Sequence, residues 1–400
     1  MIVTAMLLLG GAATVTALTG FDTYLASFLI PWSVIAYTCA GGLKATFLAS
    51  YIHTAIIFIV LITMVYTVYV KKFSSDLIYD MLEANSKFTK EECDMLYSPT
   101  GDGTDTFTGD NTYACGGSLS NASKSYLTMV SGGGLMFGII NIIGNFGTVF
   151  VDQAYWQSGI AAKPEAAYKG YMLGGLVWFT IPFALATSLG LCGVALQLPI
   201  TGAEAGSGLV PPAVATHLFG TPGSLMIAIM LFMAIVSTGS AESIAVSSII
   251  AYDIYGTYGN KSPTSDDILK ISRITVVVFG LIMGVLSIIL FKMGLSLGWV
   301  YLFMGIMIGS AVSPLALMMT CDKLPGTVAA IAAWTGTVLA IIVWIVVCQI
   351  EYGSVTVNDL GGSVPMLCGN LTAIFSSLFS CIVGGMMSTT SYDWQSMKQI

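Results

Sequence analysis

Charge is what this sequence lacks. Asp, Glu, Lys and Arg together make up 9 % of its 400 residues, against roughly 25 % in a typical soluble protein. So few charges cannot cover a water-soluble globule of this size. The 14 basic residues are outnumbered by 21 acidic ones, so no basic face can be assembled against phosphates and nucleic acid is excluded as a partner. Histidine occurs twice. There is no P-loop, no His-Glu-x-x-His and no cysteine pair at zinc spacing, which removes nucleotide-driven pumping and zinc chemistry. The reading is of a protein that is not an enzyme and holds no cofactor or metal.

Apolar residues are what fill the space, at 56 %, and the mean hydropathy is +0.85. A bilayer core takes about 20 apolar residues per helix. Ten such spans are predicted near 1–18, 24–40, 46–70, 127–151, 171–197, 224–250, 274–291, 298–319, 327–349 and 366–387. The fold class is therefore all-α and integral to the membrane, one transmembrane domain over 1–400. The first span opens on Met1 with no polar leader, so the reading is of a chain that starts inside a helical bundle and is N-terminally incomplete.

Placing Met1 in the cytoplasm sets the short connections on that side to hold Lys44, Lys163, Lys169, Lys261, Lys270, Arg273, Lys323 and Lys398. The short connections on the opposite side then hold only Lys292, while the long acidic stretch 71–126 carries Lys71, Lys72, Lys87, Lys90 and Lys124, and long segments follow the rule weakly. That asymmetry supports the assignment. It puts the acidic stretch 71–126 outside, with Asp76, Asp80, Glu83, Glu91, Glu92, Asp94, Asp102, Asp105 and Asp110. Cys93 and Cys115 share this loop and are candidates for a disulfide. Asn121-Ala122-Ser123 is a glycosylation sequon on the same side, whereas Asn260-Lys261-Ser262 falls inside. The connection 196–223, with Glu204, Pro211-Pro212 and His217, reads either as a structured lid or as an ordinary loop.

Polar residues at membrane depth are functional candidates. Asn141, Asn145, Thr148 and Asp152 recur at spacings of four, three and four and so share one helical stripe. Tyr155 and Trp156 continue it and Gln153 lies beside it. The stripe lines a solute pathway or bonds to neighbouring helices. Ala234, Ser237 and Thr238 share a face that can offer a cation two hydroxyls and a loosened carbonyl. Glu242 lies one turn beyond Thr238. Ser50 and His53 follow Gly41-Gly42 and Lys44 in the third span.

Gly41-Gly42-Leu43-Lys44-Ala45 resembles the glycine motif of the sodium:solute symporter family. Ala234 to Thr238, followed by Asp253-Ile254-Tyr255, resembles that family's ion-site helix and the short motif beyond it. Residues 41–54, 144–164, 172–185 and 236–255 are similar to the urea–proton symporters, the active urea transporters of plants and fungi. The resemblance implies an inverted five-helix repeat, a LeuT-like bundle with solute and ion near mid-membrane. It places the start of this chain in core helix 3, the fourth span as core helix 6 and the sixth as core helix 8, with core helices 1 and 2 absent.

It implies proton-coupled symport of urea at the plasma membrane. Ala234, Ser237 and Thr238 are then the ion site, and the stripe from Asn141 to Trp156 is the substrate path. Where sodium-coupled relatives read Thr-Asp-x-x-Gln, this chain has Ala49, Ser50 and His53. A carboxylate that favours sodium is replaced by a set containing an imidazole. The alternatives are a sodium symporter of another small solute, a passive urea channel and a transporter-like sensor.

Overall fold

The computed structural model describes residues 1–89, 91–93, 115–128, 130–259, 262–389 and 392. Of the positions singled out above, Asp94, Asp102, Asp105, Asp110, Asn260, Lys261 and Lys398 lie outside the described residues. The described chain is helical, with no strand beyond isolated bridges. Its helices are α1 Ile2–Thr19, α2 Thr23–Tyr66, α3 Ser75–Ser86, α4 Gly132–Val151, α5 Gln153–Ala161, α6 Pro164–Leu185, α7 Leu191–Ala195 and α8 Gly202–Gly206. They continue with α9 Val210–Phe219, α10 Thr221–Ser248, α11 Ser265–Lys292, α12 Leu297–Ile308, α13 Val312–Thr320, α14 Gly326–Tyr352, α15 Val357–Leu360 and α16 Ser363–Met387.

Nine helical runs among the described residues are long and apolar enough to cross a membrane. One of them, Thr23–Lys72, is 50 residues long. At 1.5 Å per residue it would be about 75 Å, far more than one bilayer. It is broken at Gly42, where φ is 52° and ψ −150°, so it supplies the two crossings expected over 24–40 and 46–70. This break reconciles nine continuous runs with ten spans.

The chain divides into two compact units, Met1–Val130 with Gln153–Leu297, and Ser131–Asp152 with Gly298–Ile400. In the first unit, α1, α2, α10 and α11 bury Leu8, Ile30, Ile235, Phe279 and Met283. A second core joins the far end of α2 to the loops: Met64, Val68, Ile78, Leu82, Leu189, Cys192, Val214 and Ile227. In the second unit, α4, α12, α14 and α16 enclose Ile140, Ile306, Trp344, Met366 and Ala373.

The acidic stretch is tied down at its base. Ser74 caps α3, its Oγ accepting from the Leu77 N–H at 3.1 Å. The helix buries Ile78 and Leu82. Fully buried Asn85 donates to the Val194 carbonyl at 3.0 Å. Lys72 Nζ donates to the Leu218 carbonyl in the last turn of α9, where a cation also opposes the helix dipole. The connection 196–223 is a structured element. Thr201 and Glu204 form a reciprocal capping box on α8, so the Glu204 carboxylate is spent on the helix start. His217 is exposed.

Cys93 and Cys115 are bonded, with Cα atoms 5.8 Å apart. Their sequence separation of 22 residues makes the crosslink worth about 3 kcal/mol by loop entropy. Cys115→Ser is therefore expected to speed proteolytic cleavage between residues 75 and 128 without changing the melting of the bundle. Limited proteolysis of parent and variant checks it; equal rates would show that the bond does not stabilise the loop.

Candidate functional site

The stripe on α4 is present as spaced. Gly144 and Gly147 are buried on the adjacent face. A Cβ on Gly147 would come within 2.8 Å of Ile308 and 3.3 Å of Gly309, so these glycines serve close packing of α4 within its unit. The packing leaves Asn145 exposed and Asn141 and Thr148 half-buried. Thr148 Oγ1 donates to the Gly144 carbonyl at 3.0 Å and lies 3.2 Å from Met304 Sδ.

Asn141 and Asn145 are joined by a residue that the spacing alone did not reveal. Asn145 Nδ2 donates to the Asn141 carbonyl at 2.8 Å and to Asn141 Oδ1 at 2.6 Å. It also lies 3.1 Å from the hydroxyl of Tyr301 on α12. The Tyr301 hydroxyl in turn donates to Asn141 Oδ1. Its ring stacks on Phe137, centroids 6.1 Å apart and 21° from parallel. The signal available in the sequence was the phenol itself, since a hydroxyl in an apolar span needs a partner. Which partner it finds depends on the register of two helices far apart in the chain.

Asp152 is the residue that ends α4, with φ −77° and ψ 113° and its N–H on the Thr148 carbonyl at 2.9 Å. Helix α5 begins at the next residue. Gln153 is half-buried, and Tyr155 and Trp156 are 43 % and 38 % exposed. The Tyr155 carbonyl accepts from the Tyr171 hydroxyl at 2.7 Å. The division between units falls after Asp152. The stripe is thus described as two parts, Asn141 to Asp152 in one unit and Gln153 to Trp156 in the other.

The second group of candidates lies wholly within the first unit. Ser50 Oγ and Ser237 Oγ are 3.2 Å apart, linking α2 to α10. Tyr37 donates to the Val236 carbonyl at 3.1 Å, and Ser240 Oγ to the Ser237 carbonyl at 2.9 Å. Ala234, Ser237 and Thr238 are half-buried. The expected loosened carbonyl is not there: α10 runs unbroken from Thr221 to Ser248. Its carbonyls are engaged by the helix ladder, so this face offers a cation hydroxyls first. His53 is buried one turn from Ser50, and its Nδ1 has no protein partner. Glu242 is also buried, its carboxylate 3.7 Å from the Met1 amine. Beyond this group, Gln157 Nε2 bonds Ser248 Oγ at 2.9 Å, docking α5 on the end of α10.

Asn121 Nδ2 donates to the Ser125 carbonyl at 2.9 Å, and Ser123 of the sequon has φ 56°. Among the described residues no His, Cys, Asp and Glu group could hold a metal ion. Gly294-Leu295-Ser296-Leu297-Gly298 matches Gly-x-Ser-x-Gly in spacing. It runs from the turn after α11 into the first two residues of α12 rather than forming the strand–turn–helix that exposes a nucleophilic serine.

Residues 1–336 match the sodium:solute symporter family model. The chain is 50 % identical over 402 residues to the urea-proton symporter DUR3 of Oryza sativa subsp. japonica, covering all of this chain and 54 % of that protein. It is 36 % identical over 416 residues to the urea active transporter of Saccharomyces cerevisiae, covering all of this chain and 52 % of that one. The chain thus spans about half the length of these relatives. Among solved structures, a Na+-coupled sialic acid symporter in a substrate-bound outward-open state aligns with a TM-score of 0.62 at 16 % identity. That alignment covers 98 % of this chain and 74 % of the other, a likeness that shows the fold.

Proposed function

The chain belongs to the sodium:solute symporter family, and we propose that it forms part of a plasma-membrane symporter that carries urea into the cell with protons. The observation that supports this most is the amide pair on α4. Asn145 is exposed although it sits in the interior of a membrane-spanning helix. An amide turned to lipid costs several kcal/mol, so this face suits a hydrated path. Urea is neutral, with four N–H donors and one strong acceptor. It calls for amide or carboxylate acceptors and aromatic walls. Asn141, Asn145, Thr148 and Asp152, all in one unit, supply the first; Gln153, Tyr155 and Trp156 follow in sequence in the other unit and are candidates for the path there.

Coupling rests on the α2–α10 contact. Ser50, Ser237, Thr238 and the Ala234 turn form the ion site, with His53 and Glu242 as buried groups able to exchange a proton. No carboxylate stands at position 50 or 53 to favour sodium, and an imidazole ordinarily titrates near neutral pH. The driving force is sufficient. One pH unit is about 1.36 kcal/mol and 100 mV about 2.3 kcal/mol per charge. Together they sustain a gradient of roughly several hundredfold. The names of both relatives give the same solute, and that of the Oryza sativa relative also gives the proton. In this orientation the stretch 71–126 is extracellular and Asn121 carries the glycan.

The test is labelled urea uptake by the protein expressed from its complete gene, at external pH 5 to 8 with choline replacing sodium. Uptake is expected to persist without sodium, to rise as external pH falls, and to collapse with a protonophore. Uptake that requires sodium and ignores pH would identify a sodium symporter instead. Uptake indifferent to both, with no accumulation, would identify a channel.

A further inference from the structure

We infer that Tyr301 is a positioning residue that fixes which atoms of Asn141 and Asn145 meet the solute, and thereby makes the site selective for a solute carrying a carbonyl acceptor beside an N–H donor. The inference rests on the urea reading and deepens it. The orientation of the two amides follows from donor and acceptor accounting. The Asn141 main-chain carbonyl can only accept, so the Asn145 atom 2.8 Å from it is the nitrogen. The atom of Asn141 that faces that nitrogen at 2.6 Å is then its oxygen. The Tyr301 hydroxyl closes the ring by donating its one proton to Asn141 Oδ1, while the two Asn145 N–H hydrogens are shared among the Asn141 main-chain carbonyl, Asn141 Oδ1 and the Tyr301 oxygen 3.1 Å away.

With the ring closed, Asn141 Oδ1 has two donors and the Asn145 amide nitrogen is committed. Left over are the Asn141 NH2 group and the Asn145 carbonyl oxygen. These two are complementary to one edge of urea: the amide NH2 donates to the urea oxygen, and the amide oxygen accepts from a urea N–H. Neither remaining group is charged, so the pair gives no advantage to a cation such as guanidinium. The ring of Tyr301 is itself held by its stack on Phe137, so the hydroxyl arrives at the amides already oriented.

Tyr301→Phe keeps the ring and its stack and removes only the hydroxyl. Asn141 Oδ1 then keeps only the Asn145 Nδ2 donor, so the amide is held by one bond instead of two and the edge is presented less firmly. Urea KM is expected to rise about tenfold, the effect of one net hydrogen bond, with the maximal rate within about twofold of the parent. Thiourea has the same N–H donors and a weaker acceptor. Its competition relative to urea should strengthen in the variant, because the fixed donor that favours a carbonyl oxygen is lost.

A merely structural tyrosine would lower the maximal rate or surface amount and leave the urea-to-thiourea ratio unmoved. Asn141→Asp is the second variant. It keeps both acceptor bonds to Tyr301 and Asn145 but removes the NH2 group, and it should raise urea KM by the same order. KM and thiourea ratio within twofold of the parent in both variants, at normal surface amount, would overturn the role of Tyr301 while urea transport stands. Absence of urea uptake in the parent would overturn the reading beneath it as well.

Discussion

Asp152→Asn is expected to leave the protein at the membrane and to cut urea uptake by between about tenfold and a hundredfold. Asp152 is where α4 ends, with extended ψ, and the residue directly before α5. Helix α4 is by itself a 20-residue run long enough to cross a membrane, and Asp152 continues to its end the spacing that places Asn141, Asn145 and Thr148 on one stripe. The substitution separates two roles. Asp and Asn are nearly equal as residues that start a helix and nearly equal in size, so the backbone joint survives. Only the charge goes, and a hydrogen bond to a charged group is worth about 1.5–3 kcal/mol, which sets the range. Uptake of labelled urea normalised to surface-biotinylated protein is the measurement. Normal uptake with normal pH dependence would assign Asp152 to the architecture of the joint alone.

The spans were legible because lipid imposes a simple rule on composition and length, and the helical runs follow the expected stretches closely. Gly41-Gly42 was read as a motif, and its conformational meaning became visible only as the break that turns one 50-residue run into two crossings. The stripe from Asn141 to Asp152 was legible because helical periodicity is local. Its supporting contacts were not, because Tyr301 meets Asn141 through a sequence separation of 160. Pairing across that distance depends on helix register, which no pattern of spacing encodes. The loosened carbonyl at Ala234 failed for a related reason. Small residues permit a helix to open but do not require it, and α10 has close partners that keep it closed. In the connection 196–223, read as a lid or an ordinary loop, the Glu204 carboxylate is claimed for a helix cap by a Thr three residues before it.

Gly42→Ala is expected to lose most of the folded protein, and the cause is backbone conformation rather than space. A Cβ built on Gly42 meets nothing within 4 Å. Its φ of 52° with ψ of −150° lies in a region that only glycine occupies readily, and forcing an L-residue there costs on the order of 1–3 kcal/mol. The alternative open to alanine is to resume the helix. That would fuse residues 23–72 into one rod about 75 Å long, more than twice the roughly 30 Å hydrocarbon core. It would also draw Ser50 and His53 away from Ser237. Either outcome is costly, so the substitution strikes both stability and the coupling site. Gly174→Ala is the control, since that glycine is helical, exposed and equally free of neighbours. There alanine should be neutral or slightly stabilising, by up to about 1 kcal/mol. Melting midpoints in detergent and surface amounts of the two variants make the comparison. Equal midpoints would show that the chain passes from one crossing to the next without needing the glycine.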